Sequence, residues 1–241
     1  MRASEHLRLE VIAAHCGATI DVARIDGALA QLVRRGRKVQ ILLADHVTDL
    51  AAQRFSIAHE LGHLVLGHPT PQAVTAAKGA PVPAQERDHE EEANAFAAEL
   101  LMPAAWLRHR CEVGPVGLDV PRQISQELGV SILASAIRFV ELTTHPCAAV
   151  LSRKQVVQWA AVTDTFPHAI TRGRTVAQTS AAGAFFTTGR APEQPQRVAA
   201  ADWVDAPSES VMVEHAAGSP ELGTVISMIW PEGSGAAQCA A

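Results

Sequence analysis

Arg54-Phe55-Ser56-Ile57-Ala58-His59-Glu60-Leu61-Gly62-His63 is the stretch from which the rest of the chain can be placed. Its apolar residues, continuing to Leu64 and Leu66, fit an amphipathic helix with Thr48 or Asp49 as its cap and Gly67-His68-Pro69 as its stop. His59 and His63 are four residues apart, so on a helix both imidazoles leave one face about a turn apart. Two neutral ring nitrogens so placed can fill two positions of a tetrahedral zinc site. Glu60 lies roughly 100° round the helix from His59, beside the metal rather than on it, where a carboxylate can take a proton from a zinc-activated water. Gly62 leaves room for another element to approach.

A catalytic zinc needs a third protein ligand and an open position. The extended pattern HExxHxxGxxH does not supply it, because Leu66 and Pro69 stand where Gly and His are required and His68 is one residue out of register. The better source is the acidic run Glu86-Arg87-Asp88-His89-Glu90-Glu91-Glu92-Ala93-Asn94, on a second helix packed antiparallel to the first. Spacing does not choose among Glu86, Asp88, His89, Glu90 and Glu92, and most of such a run is a solvated face.

Outward from this pair, residues 5–15 read as a short helix ending near Gly17. Residues 18–22 and 38–43 are strand-like, with a turn at Gly36 between apolar runs. The basic cluster Arg34-Arg35-Gly36-Arg37-Lys38 is then a solvated hairpin turn. Residues 69–84 read as a loop, and the acidic helix runs from Gln85 to a break at Pro103. Residues 119–142 form two short helices around Leu128-Gly129-Val130-Ser131, the pattern of a helix-turn-helix. Beyond Pro146 the chain is β-rich at 147–151, 156–162, 211–213 and 224–230, and 233–241 is a frayed tail.

The fold class expected is α+β: a zincin-like peptidase domain with a short twisted sheet and helices over residues 1–115, a helix-turn-helix segment over 116–145, and a small β-rich α/β domain over 146–235. Hydrophobic residues make up 48% of the 241, which supports real cores rather than disorder. The net charge of −5 gives no electrostatic footprint for nucleic acid. Neither a secretory h-region nor a membrane span is evident, and Cys16, Cys111, Cys147 and Cys239 have no metal or redox spacing. A cytoplasmic protein with free thiols and no membrane partner is the expectation.

The block 54–63, followed by Glu90-Glu91-Glu92-Ala93-Asn94-Ala95-Phe96-Ala97-Ala98-Glu99-Leu100-Leu101-Met102-Pro103, resembles the ImmA/IrrE family of regulatory metallopeptidases. The resemblance implies Glu90 as third zinc ligand, three residues before the Ala-Asn step, with Glu92 next. It implies that Asn94, a turn further on, supports the ligands from outside the coordination sphere. It also implies the activity: a Zn²⁺-dependent endopeptidase that cleaves a Cro/CI-like repressor and derepresses stress or mobile-element genes. A sensor-like C-terminal domain belongs to the same expectation.

Two other classes compete. One is a non-catalytic regulator that keeps the fold and binds DNA or a ligand; the other is the same chemistry within a toxin–antitoxin or phage pair. Against direct DNA binding, residues 119–142 offer only Arg122 and Arg138 beside Asp119, Glu127 and Glu141. With no tyrosine in the chain, an oxyanion donor has to be His, Arg or backbone N–H, and His68, His89 and His145 are candidates. Trp159, Trp203 and Trp230 read as core aromatics, and neither Phe185-Phe186 nor residues 189–195 carry legible chemistry.

Overall fold

The protein, a computed structural model, is described at residues 7–69, 84–207 and 209–234. Most of the frayed tail and most of the 69–84 loop read from sequence, with Cys239, lie outside the described residues. The architecture is mixed α+β, with seven α-helices and two sheets among the described residues. The chain divides into two compact units, Met1–Pro103 with Gln126–Ser131, and Ala104–Ser125 with Ile132–Ala241.

The first unit opens with α1 (Leu9–His15), β1 (Ala18–Ala23), β2 (Ala30–Arg35) and β3 (Lys38–Ala44). β3 is central: β1 pairs with it in parallel and β2 antiparallel, giving the order β1-β3-β2. The β2–β3 hairpin closes between the paired residues Arg35 and Lys38, with Gly36 at φ 62°, and Arg34 to Lys38 are exposed, as the charge pattern implies. Leu32, Ile41 and Leu43 are buried.

α2 (Leu50–Leu66) begins where Asp49 caps it by accepting the Ala52 N–H at 2.7 Å, and Gly67 ends it at φ 73°. α3 (Ala84–Leu101) runs antiparallel to α2, since His59 meets Asn94 while His63 meets Glu90. Gly62 is the closest point. A Cβ there would lie 3.0 Å from Ala93 Cα and 3.3 Å from Phe96 Cβ. Gly62→Ala gains helix propensity but pushes α3 away, so a net loss of about 1–3 kcal/mol is expected from overpacking. Denaturant unfolding checks it; a variant as stable as wild type would mean that the helices separate freely.

The second unit contains α4 (Ala104–Val113), most of α5 (Asp119–Leu128), α6 (Ile132–Leu142), β4 (Ala148–Arg153), β5 (Val156–Val162), α7 (Ala181–Thr188), β6 (Gln196–Ala199), β7 (Val211–Ser219) and β8 (Thr224–Pro231). Its five strands form an antiparallel sheet in the order β5-β4-β8-β7-β6. The core gathers Trp203, Phe185, Phe166, Met212, Val150 and Ile229. Trp203 and Trp230 are buried as expected, but Trp159 is 38% exposed. It sits on β5, an edge strand with a neighbour on one side only, so the core reading fails for it.

Within this core Glu214 is fully buried. Its Oε2 accepts from Ala181 N (2.8 Å) and Trp203 Nε1 (3.1 Å), and its Oε1 from Ala182 N (2.9 Å) and Ser227 Oγ (2.8 Å). Burial pushes its carboxyl pKa up, while these four donors pull it down. The side chain thereby ties the start of α7 to β7, β8 and the Trp203 ring, the satisfied form of a buried acid. Cys16, Cys111 and Cys147 are free thiols; burial raises Cys111 to about 11 and Cys147 to about 12.

Candidate metal centre

Ile57, Ala58 and Leu61 turn one face of α2 inward, which leaves His59 and His63 together on a neighbouring face. α3 carries Glu90 to them. His59 Nε2 is 3.0 Å from His63 Nε2, 3.3 Å separates His59 Nε2 from Glu90 Oε2, and 3.4 Å separates His63 Nε2 from Glu90 Oε1. Four ligands at ordinary zinc–nitrogen and zinc–oxygen lengths stand about 3.3 Å apart in a tetrahedron. The donor set therefore fits a tetrahedral ion in spacing and in chemistry, with one vertex left over. The imidazoles are 16% and 14% exposed and Glu90 57%, so the cluster opens to solvent on the Glu90 side.

These three are the His, Cys, Asp or Glu residues whose ligand atoms gather within 4.8 Å of one another among the described residues. Glu92, the next candidate that the resemblance implies, is engaged elsewhere, 2.8 Å from His68 Nε2. Glu86, Asp88 and His89 are not in the cluster.

Asn94 Oδ1 is 2.9 Å from His59 Nδ1. An amide oxygen only accepts, so the ring carries its proton on Nδ1 and leaves the Nε2 lone pair facing the cluster. Burial, chiefly, and neighbouring His59 hold His63 below the usual imidazole pKa, against the pull of Glu90. Asn94 thus orients His59 to donate through Nε2, and burial favours the neutral, metal-donating form of His63.

Glu60 stands beside the cluster without joining it. Its Oε2 accepts the Leu32 N–H at 2.7 Å, so the edge strand β2 fixes the carboxylate. Burial is the largest influence on Glu60 and raises its pKa, Glu90 adds to the rise, and His59 and the Leu32 N–H oppose it. A carboxyl shifted upward from the ordinary range is a better proton acceptor.

The three histidines open as oxyanion donors have other partners. His68 is buried, with Nδ1 3.0 Å from His63 Nδ1 and Nε2 on Glu92, so neither ring nitrogen is free to serve an oxyanion. His89 stacks on His68 with ring centroids 4.4 Å apart. His145 belongs to the second unit, its Nε2 2.7 Å from Glu112 O.

Residues 18–140 match the family described as Peptidase_M78, IrrE N-terminal-like domain. The chain belongs to this family. The Peptidase_M78 match spans β1 to α6 and so includes both helices of the cluster. No curated protein matches the chain significantly. Among solved structures, a Mycobacterium tuberculosis transcriptional regulator is similar, with a TM-score of 0.60 and 14% identity over 94% of this chain and 72% of that one. At that identity the likeness is one of fold.

Proposed function

We propose that this Peptidase_M78 member is a zinc-dependent endopeptidase that cuts a peptide bond in a regulatory protein, with His59, His63 and Glu90 as metal ligands and Glu60 as the proton-transferring group. The observation that carries the proposal is the meeting of two imidazole Nε2 atoms and one carboxylate at tetrahedral spacing, with a second carboxylate held beside them. Zinc bound there supplies a Lewis acid that polarises a carbonyl and brings the pKa of a water towards about 7. Glu60 takes the proton of the attacking water and passes it to the departing amine. Leu32 N–H holds the carboxylate in place for both transfers. Asn94 orients His59.

The finer assignment of the first unit is zincin-like, with the metal helix α2 lying by a short sheet. α5 and α6 are read as a helix-turn-helix segment that packs or presents a protein substrate. Six α6 residues, Phe139 and Arg138 among them, are buried, whereas a DNA-reading helix needs an exposed face. The two cations of this segment face acids, Arg122 near Asp119 (3.3 Å) and Arg138 near Glu141 (2.9 Å), which argues against phosphate contacts. The favoured substrate is a Cro/CI-like repressor in the cytoplasm, a choice supported by the family and by a fold shared with a protein named as a transcriptional regulator. No helix among the described residues is long and apolar enough to cross a membrane.

The test is terminal-peptide proteomics on cells carrying the wild type or Glu60→Gln. A new N-terminus within a helix-turn-helix regulator, present only with wild type, is the expected result. Identical terminal peptides in the two strains would count against the proposal.

A further inference from the structure

Past the end of α2 the chain reverses over the helix it has just left. Gly67 N donates to Leu64 O at 3.3 Å and His68 N to His63 O at 3.0 Å, with Gly67 left-handed at φ 73°. This is a Schellman ending, in which a glycine supplies the positive φ and the next residue bonds back five positions. The reversal lays the His68 ring against His63, centroids 5.1 Å apart, and the His89 ring stacks on His68 at an interplanar angle of 21°. Though it follows the helix, His68 is only 6% exposed.

Three groups then form a line: Glu92 Oε2 to His68 Nε2 at 2.8 Å, and His68 Nδ1 to His63 Nδ1 at 3.0 Å. Each neutral imidazole has one N–H and one lone pair, and an ionised carboxylate only accepts. Glu92 therefore calls for the proton of a neutral His68 on Nε2, which leaves its Nδ1 bare. That bare nitrogen calls for the proton of His63 on Nδ1, and the His63 Nε2 lone pair is left pointing at His59 and Glu90.

We propose that His68, oriented by Glu92, is a positioning residue that fixes His63 in its Nδ1–H tautomer and so keeps Nε2 available to the metal. The inference rests on the metal-site reading above. It gives the two histidines matching supports from different elements, Asn94 on α3 behind His59 and the post-helix residue His68 behind His63. The alternative is that His68 merely packs the end of α2.

The test uses the full chain with His68→Phe, which keeps a ring but has no acceptor, and His68→Gln, whose amide oxygen can accept from His63 Nδ1. Imidazole nitrogen NMR of the metal-free proteins at mildly alkaline pH reads the His63 tautomer, and competition with a chromophoric chelator reads zinc affinity. Wild type is expected to hold His63 as Nδ1–H. His68→Phe should move it towards Nε2–H and weaken zinc about 10–100-fold, the usual effect of losing a ligand's outer partner. His68→Gln should restore most of both. Equal loss in both variants would reduce His68 to packing. Unchanged affinity and tautomer in His68→Phe, or a wild-type His63 in the Nε2–H form, would overturn the positioning role while leaving the metal site standing. A wild type that takes up no zinc would overturn the metal reading and this role with it.

Discussion

Glu60→Gln is expected to lower the rate of peptide cleavage by about 10²–10⁴-fold while metal binding stays at the wild-type level. The substitution is nearly isosteric, and the glutamine carbonyl can still accept the Leu32 N–H that holds Glu60 in place. Glu60 lies outside the group of atoms that meet at tetrahedral spacing, so the donor set remains whole. What is lost is a carboxylate able to take a proton from water and return it to the amine. The comparison is made under matched zinc loading on one substrate. A clean Glu60→Gln preparation with wild-type turnover would remove Glu60 from the chemistry.

The second large effect is expected at the ligands. His63→Ala removes one vertex and leaves His59 and Glu90, and Glu90→Ala removes the ligand that α3 supplies. Zinc sites with four protein ligands bind with roughly 10–16 kcal/mol, about 2.5–4 kcal/mol for each ligand. Either change should therefore weaken zinc by at least about 10²-fold. Linkage makes the loss visible as stability: zinc at about 100 times its dissociation constant stabilises the wild-type fold by about 2.7 kcal/mol. Thermal melts with and without zinc should show that gain in wild type and almost none in either variant. A zinc-dependent rise of equal size in all three would place the ion elsewhere on the chain.

The parts of this account that the sequence made legible are those set by local geometry. An i, i+4 pair on one helix puts His59 and His63 together whatever the rest of the fold does. Asp49 and Gly67 mark the limits of α2 by ordinary capping chemistry, and Gly62 signals the approach of α3. The third carboxylate was harder. Spacing left five acidic or histidine candidates open, and only the resemblance favoured Glu90; the choice depends on how α3 is rotated against α2, which Ala93 resting on Gly62 decides.

Other features depend on tertiary partners and were missed. β7 reads as three residues because Glu214-His215 interrupts its apolar run, yet it extends from Val211 to Ser219. The interruption is tolerable because four hydrogen-bond donors converge on the Glu214 carboxylate. α7, with its Ala, Gly, Phe and Thr, shows no charged face to give a helical period, and its start is fixed by Ser180 and by the distant Glu214. Trp159 reads as core on residue type alone, but it lies on the edge strand β5 and is 38% exposed. In the sequence His68 reads only as part of the helix stop and as an oxyanion candidate. The signal that could have placed it is Gly67, because a glycine ending directly after a ligand helix folds the following side chain back onto the last turn.

The measurement closest to the central claim is a zinc titration of metal-stripped protein, wild type beside Glu60→Gln, His63→Ala and Glu90→Ala. A single equivalent per chain, bound alike by wild type and Glu60→Gln and lost or strongly weakened in the other two, is what the geometry of His59, His63 and Glu90 requires. A wild type that takes up no zinc, or a His63→Ala protein that takes it up as well as wild type, would contradict it.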